Sequence, residues 1–374
     1  MRRNYFPKNF LFISMAALII FAASCSKEKK TVVNVISPPV TATPTQLGLY
    51  EVDSSIYKLL LIGVSKIGTQ TVNYDFIFDT GSGGMVIDAA GILPASMITS
   101  TGFTFTGDST IVDGITITNQ TSEVDYGDDA ATTDKVFGNL AYAPVTVGDA
   151  NGNFVVKRLP FFIYYKAVDG KGVKFDPHEF DTFGVSEEYD ISFPNGSFIT
   201  SPFKAFDPGT GLTHGFKMAA LGTSQFSQEG NYVEVLTLGL TADDLSSTSG
   251  FSLSQLTFDA QDGYAPIIPA TITYSGNTVT SDVLFDTGTE PYSFIEDKKA
   301  TNTSALLLPA STPVTLATTS GFNYNYTTTP TENLTNLENP SSSGVDVSIL
   351  SLEFFINNEY LLDYDHHKLG LKGN

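Results

Sequence analysis

From Leu47 onward the chain alternates short apolar runs with polar connections rich in Gly, Asn, Asp and Pro. That rhythm predicts strands and turns, and no long stretch keeps the period of an amphipathic helix. "YKLLLIGVSKIGTQTVNYDFIFDTGS" predicts two strands joined by a Gly-containing connection. "GITITNQTSEVDYGDD" and "AYAPVTVGDANGNFVVKRLPFFIYYK" predict hairpins, and "NYVEVLTLGL" and "SQLTFDAQDGYAPIIPATITY" predict further strands. Between about Val168 and Gly215 the pattern breaks. Pro177, Pro194, Pro202, Pro208 and several glycines predict an elaborated loop region there.

One apolar run ends oddly. In "YDFIFDTGSGGMVI" a strand that reads as buried stops on the carboxylate of Asp79, followed by Thr80, Gly81 and Ser82. A single Asp-Thr-Gly is ordinary turn chemistry. The pattern returns 207 residues later, where "ATITYSGNTVTSDVLFDTGTEPYSFI" repeats strand, turn and strand and places Asp286, Thr287, Gly288 and Thr289 in the same order. This predicts a lobe repeated once rather than a solenoid.

If the halves pack about a pseudo-two-fold axis, the two carboxylates meet on it. Two like charges so close hold one proton between them. One carboxylate then serves as base to a water and the other as acid to a substrate carbonyl. Gly81 and Gly288 let backbone approach closely. Ser82 and Thr289 can donate to the outer carboxylate oxygens, and Thr80 and Thr287 can tie the two loops together.

Composition narrows the partners. The 374 residues suffice for two lobes with real cores. Only 16% are charged, while Thr, Ser and Gly abound, which suits sheet over helix. A formal net charge of -20 argues against nucleic acid, because phosphate contacts need clustered Lys and Arg. Acidity of this kind fits solubility or work at low pH. No P-loop, dinucleotide fingerprint or Ser-His-Asp motif is present. His366 and His367 read as part of a turn, His178 and His214 as isolated loop residues, and "DGKGVKFD" lacks calcium-loop spacing. No metal and no cofactor are expected.

The start carries its own signals. A basic segment (Arg2, Arg3, Lys8), an apolar stretch from about Phe10 to Ala23, and small residues leading to Cys25, the chain's one cysteine, form a secretory leader. The "AASC" ending resembles a bacterial lipoprotein signal. That resemblance implies cleavage before Cys25, lipid on its sulfur and, with Ser26 following, the outer membrane. The expected organisation is a leader over 1–24, a flexible tether over 25–46, and lobes over 47–230 and 231–374.

The paired motif resembles the pepsin-like aspartic proteases, a two-lobed family with one Asp-Thr-Gly per lobe. "EVDYGDDAATTDKVFGNLAYAPVTVG" is similar to that family's flap hairpin, with Tyr126 and Gly127 matching its Tyr-Gly and Asp128 following. "MAALG" is similar to the apolar-apolar-Gly segment that threads behind the first aspartate, and "VSILSLEFFINNEYLLDYDHHKLGLK" to the closing block. The resemblance covers about Leu47 to Asn374. It implies an all-β bilobal fold with an interlobe cleft, a catalytic pair of Asp79 and Asp286, a flap closing through Tyr126, a polypeptide substrate and a monomer. Three positions depart from the family: Val86 stands where a Trp is common, Glu290 where a small residue is common, and Ser351 where Gly is usual. Two other classes stay open from sequence. One is a non-catalytic peptide-binding or protein-binding lipoprotein of the same fold. The other is a glycan-binding β-sandwich in which the two aspartates lie far apart.

Overall fold

The structure is a computed structural model that describes residues 42–54, 57–127 and 133–373. The leader over 1–24, Cys25, the tether up to residue 41, and Asp128 lie outside the described residues. The first strand begins at Thr45, so the last tether residues already pair. Among the described residues no helix is long and apolar enough to cross a membrane.

Fourteen strands form one sheet and eight form another. In the larger sheet, Thr45–Ser54 pairs with Tyr57–Ile67 on one side and Asn231–Leu240 on the other. The latter leads through Thr213–Met218 to the closing strands Asn358–Asp363 and Lys368–Gly373. The closing strands are thereby stitched to the sheet that holds the first described strand, Thr45–Ser54. The smaller sheet is built on the hairpin of Ile267–Tyr274 and Asn277–Phe285. Its turn residues Ser275 and Gly276 have φ of 46° and 80°, the mirror-image turn whose twist matches that of the strands it joins.

Each aspartate strand is crossed by a distant strand laid alongside it. In the first lobe Thr182–Val185 runs parallel to Gln70–Asp79, with Phe183 opposite Phe78 and Gly184 opposite Asp79. The same strand runs antiparallel to Gly83–Asp88. In the second lobe Val347–Leu350 runs parallel to Asn277–Phe285, with Leu350 opposite Phe285, and also meets Tyr292–Glu296 at Phe294. Parallel pairing needs a long crossover, which is why each inserted strand comes from far along the chain. Both faces of such a strand are covered, and all four residues of Thr182–Val185 are buried.

Two sequence expectations are corrected here. The segment behind the first aspartate is Thr182–Val185, not "MAALG". The Met218 end of that stretch belongs to a strand paired with Asn231–Leu240 and Asn358–Asp363, and Gly222 donates to the Ile356 carbonyl. The 168–215 region, read as loop because of its prolines, contains that inserted strand. Its four residues are too few to show a period. The histidines also differ from expectation. His214 lies on the Thr213–Met218 strand, and His178 stacks on Tyr74 at 3.9 Å and bonds Asp181 at 2.8 Å. His366 and His367 do sit in the turn between the closing strands.

Aromatic side chains anchor both aspartate strands. Phe78, next to Asp79, packs edge-on against Phe216 at 6.3 Å, and Phe285, next to Asp286, lies 4.5 Å from Phe354. All four rings are buried, so each loop leaves its strand from a fixed point.

Candidate active site

The two strand ends meet. The Thr80 N–H donates to Thr287 Oγ1 (3.1 Å) and the Thr287 N–H donates to Thr80 Oγ1 (3.0 Å). Each hydroxyl then donates across the axis, Thr80 to the Phe285 carbonyl (2.8 Å) and Thr287 to the Phe78 carbonyl (2.7 Å). The four bonds are related by the pseudo-two-fold axis and every polar group in them is satisfied, which fixes one loop against the other.

Above this lattice the carboxylates converge. Asp79 Oδ1 accepts from the Gly81 N–H (2.7 Å) and the Ser82 N–H (3.1 Å), and its Oδ2 accepts from Ser82 Oγ (2.5 Å). Asp286 Oδ1 accepts from the Gly288 N–H (2.8 Å), and its Oδ2 from Thr289 Oγ1. A Cβ on Gly81 would stand 2.6 Å from Asp286 Cγ, and one on Gly288 would stand 2.9 Å from Asp79 Cγ. Each carboxyl therefore lies over the opposite glycine, and any side chain there would push the pair apart. Burial, then the neighbouring Asp286 carboxyl, hold Asp79 well above the usual carboxylate range against the opposing pull of Ser82 and Gly81. A pair so placed keeps one proton, leaving one oxygen to accept from a water and one O–H to donate to a carbonyl. The distant arrangement required by a glycan-binding β-sandwich is thus overturned.

The pair opens into a cleft of about 570 Å³ lined from both lobes. Tyr126 and Gly127 close one side of it. Tyr126 ends the Ile115–Tyr126 strand, pairs opposite Asp134 on the return strand, and packs edge-on against Phe180 at 5.1 Å. Burial, then the charges of Asp190 and Asp79, push its hydroxyl well above its usual value. Ile77, Phe180, Leu284, Phe294 and Ile349 give the cleft its apolar lining.

The three departures each have a structural setting. Val86 is buried, opposite Phe162 and Thr182, in a small cluster with Val124, Leu140 and Ile199. Its place is filled by aliphatic packing. Ser351 is buried, and its N–H donates to Ser293 Oγ (3.0 Å), whose hydroxyl donates to Ser351 Oγ (3.3 Å). The loop around Asp286 keeps the glycine N–H and hydroxyl bonds seen around Asp79, without a counterpart to the Ser82 N–H bond. Glu290 lines the cleft, and burial, then the charge of Glu353, push its carboxyl up to about 8.

Sequence reasoning missed Asp190, whose Oδ2 accepts from the Gly83 N–H at 2.5 Å, and with it Glu188. Burial pushes Asp190 up to about 7. Burial and then the charge of Asp190 push Glu188 to about 9. The run "SEEYD" directly after the inserted strand holds them, but of its three carboxylates only Asp190 lines the cleft, while Glu187 bonds Lys204 and His367.

No protein-family model matches the chain, and no curated protein does. Solved structures do. An aspartic proteinase from Irpex lacteus matches with a TM-score of 0.56 at 17% identity, over 89% of this chain and 98% of that one. Basic 7S globulin from soybean matches at 0.56 and 10%, over 88% and 96%. Conglutin gamma, a basic 7S globulin from lupine seeds, matches at 0.53 and 12%, over 89% and 96%. At such identities the likeness speaks for the fold alone, and the chain has the all-β, bilobal pepsin-like fold.

Proposed function

We propose that this chain is an aspartic endopeptidase, in which Asp79 and Asp286 activate a water for attack on a peptide carbonyl. One observation carries it: two carboxyls at the pseudo-symmetry axis, each lying over the other's glycine and both lining a cleft of about 570 Å³. The shared proton supplies base and acid together. Ser82 and Thr289 hold the outer oxygens, and Tyr126 closes over the substrate and excludes water. The test is digestion of an unfolded protein from acid to neutral pH, with and without pepstatin, by the wild type and by Asp79→Asn. Turnover that Asp79→Asn abolishes and pepstatin blocks supports the assignment; turnover indifferent to both overturns it.

A second reading is a peptide-binding or protein-binding module without turnover. It is favoured by Val86 and Glu290 beside an intact pair, and by two globulins among the structural neighbours. It predicts retained peptide binding with no product at any pH. For location, the leader and Cys25 support an exported bacterial lipoprotein tethered to the outer membrane. Replacing Cys25 by Ala should move the protein from the membrane fraction to the soluble fraction.

A further inference from the structure

Both ring nitrogens of His178 face acceptors. Nδ1 lies 2.8 Å from Asp181 Oδ2, and Nε2 lies 2.7 Å from the Ala90 carbonyl oxygen. A carbonyl oxygen only accepts, so Nε2 carries a hydrogen. A second proton must then lie between Nδ1 and Asp181 Oδ2, since without it a lone pair would face a carboxylate oxygen. Asp181 Oδ1 already accepts from the Asp88 N–H (2.8 Å) and the Tyr164 hydroxyl (3.1 Å), which favours the charged carboxyl and places that proton on the ring. The doubly protonated imidazole is the form of this side chain that satisfies both partners.

The titratable groups facing the ring come from four places. Asp181 belongs to its own segment and is buried. Asp88 ends the Gly83–Asp88 strand, and its Oδ2 accepts from the His178 N–H (3.4 Å). Tyr74 stacks on the ring at 3.9 Å, and Tyr164 reaches it through Asp181. Burial pulls His178 down, but the Asp181 bond and charge, the Ala90 carbonyl and the Asp88 charge outweigh it and hold the ring above its ordinary value. Burial holds Asp181 up against the pull of His178 and the Asp88 N–H.

This ring joins two parts of the catalytic site. Tyr74 lies on the strand that ends at Asp79, and the Ile77 N–H of that strand donates to the Asp181 carbonyl (2.9 Å). Within the segment that His178 opens, Phe180 packs against Tyr126 and Gly184 pairs opposite Asp79. We propose that His178 is a positioning residue whose second ring proton clamps residues 178–185 to the aspartate strand, holding the flap ring and the backbone beside Asp79 while the proton stays and loosening both when it leaves. For its effect on turnover the proposal rests on the endopeptidase assignment; the clamp itself is read without turnover.

The sign follows from the contacts. A histidine held above its ordinary value contributes fully below 6.5, and the contribution is lost as pH rises through the raised value. Asp181→Asn reverses this. The new amide keeps an oxygen for the Asp88 N–H and the Tyr164 hydroxyl and brings an N–H to Nδ1, so the neutral ring then satisfies every partner and the protonated ring does not.

Imidazole nitrogen resonances and protection of the Ile77 amide from hydrogen exchange, followed by NMR on the full-length protein from about pH 5 to 9, test it. The His178 signals are assigned by their loss in His178→Gln. In the wild type the ring should be doubly protonated at neutral pH, and Ile77 protection should fall about tenfold as the proton leaves, the loss of one charge-assisted bond. In Asp181→Asn protection should fall instead as the ring gains its proton, and in His178→Gln neither step should appear. A wild-type ring that is neutral at neutral pH, protection that ignores its titration, or the same sign in Asp181→Asn overturns the proposal. If Asp181→Asn does not fold, the wild type and His178→Gln decide. Peptide hydrolysis reads the link to Asp79: the ratio of kcat/KM at neutral pH to that at acid pH should be higher in Asp181→Asn than in the wild type. An unchanged ratio overturns the positioning role, whereas no turnover by any chain defeats only the endopeptidase assignment.

Discussion

Gly184 and Ser351 hold equivalent places behind the two aspartates. Gly184 pairs opposite Asp79, and Ser351 follows Leu350, which pairs opposite Phe285. The two sites are not interchangeable. A Cβ on Gly184 would meet the Ser82 carbonyl oxygen at 2.6 Å and the Ser82 hydroxyl at 2.8 Å, and that hydroxyl donates to Asp79. Gly184→Ala should therefore cost roughly 1–3 kcal/mol through overpacking and reduce turnover sharply, because the displaced atom orients the carboxyl. Ser351→Ala leaves the Ser293 hydroxyl without its acceptor and should cost about 1 kcal/mol with turnover nearly kept. Thermal unfolding and peptide hydrolysis measured on both variants check the asymmetry.

The threonine lattice predicts coupling. Thr80→Val preserves shape but strands the Thr287 N–H and the Phe285 carbonyl, both buried, at about 1–3 kcal/mol per group. Thr287→Val does the same in mirror image. Both remove one network, so the double variant should cost less than the sum by roughly 0.5–3 kcal/mol. Thr80→Ser keeps the hydroxyl and should restore most of the loss. Denaturant unfolding of the four chains reads the cycle; simple additivity refutes the lattice as a unit.

The aspartate loops were legible because a carboxyl held in such a loop needs several residue types in fixed order, and the order recurs. The strands were legible where they alternate or form a long apolar run, as in Tyr57–Ile67. Thr182–Val185 was not, because a four-residue strand buried on both faces has no period, and its partner Asp79 lies about a hundred residues away, beyond any local pattern. "MAALG" drew the assignment instead because an apolar-apolar-Gly string is common, whereas the pairing that decides between candidates is tertiary. Asp190 was invisible for the same reason: its meaning comes from the Gly83 N–H.

Val86 invites a repair that the packing forbids. It is fully buried among Val124, Leu140, Phe162 and Ile199, so Val86→Trp should cost about 1–3 kcal/mol or more and fail to raise activity. Tyr126 is positioned instead by the Phe180 ring. Tyr126→Phe should then keep the flap in place with a modest effect, while Tyr126→Ala and Phe180→Ala should each lower kcat/KM more than about tenfold, since both empty the same edge-on contact. Initial rates on one peptide decide it; a Tyr126→Phe loss as large as that of Tyr126→Ala assigns the effect to the hydroxyl.

Stability should follow the buried carboxyls. Glu296 is raised to about 7 by burial, opposed by its bond to Ser343 and reinforced by Glu338, and Glu290 and Glu188 are raised to about 8 and 9, each chiefly by burial. A carboxyl whose folded value exceeds its unfolded value binds its proton more tightly when folded. Its contribution is complete below the unfolded value near 4.5 and is lost as pH rises through the folded one. Asp244 and Asp365 act oppositely. Burial pushes each up, but the Lys217 and Thr241 bonds and the His214 bonds outweigh it, so their contribution is lost only as pH falls through their lowered values. The net charge of -20 adds self-repulsion at high pH. The unfolding temperature should therefore peak on the acid side, near pH 4–6, and decline steadily towards pH 9. Glu296→Gln should flatten the decline around pH 7, because the amide has no proton to lose. Calorimetry across that range, with and without the substitution, checks the sign, and a stability maximum above pH 8 contradicts it.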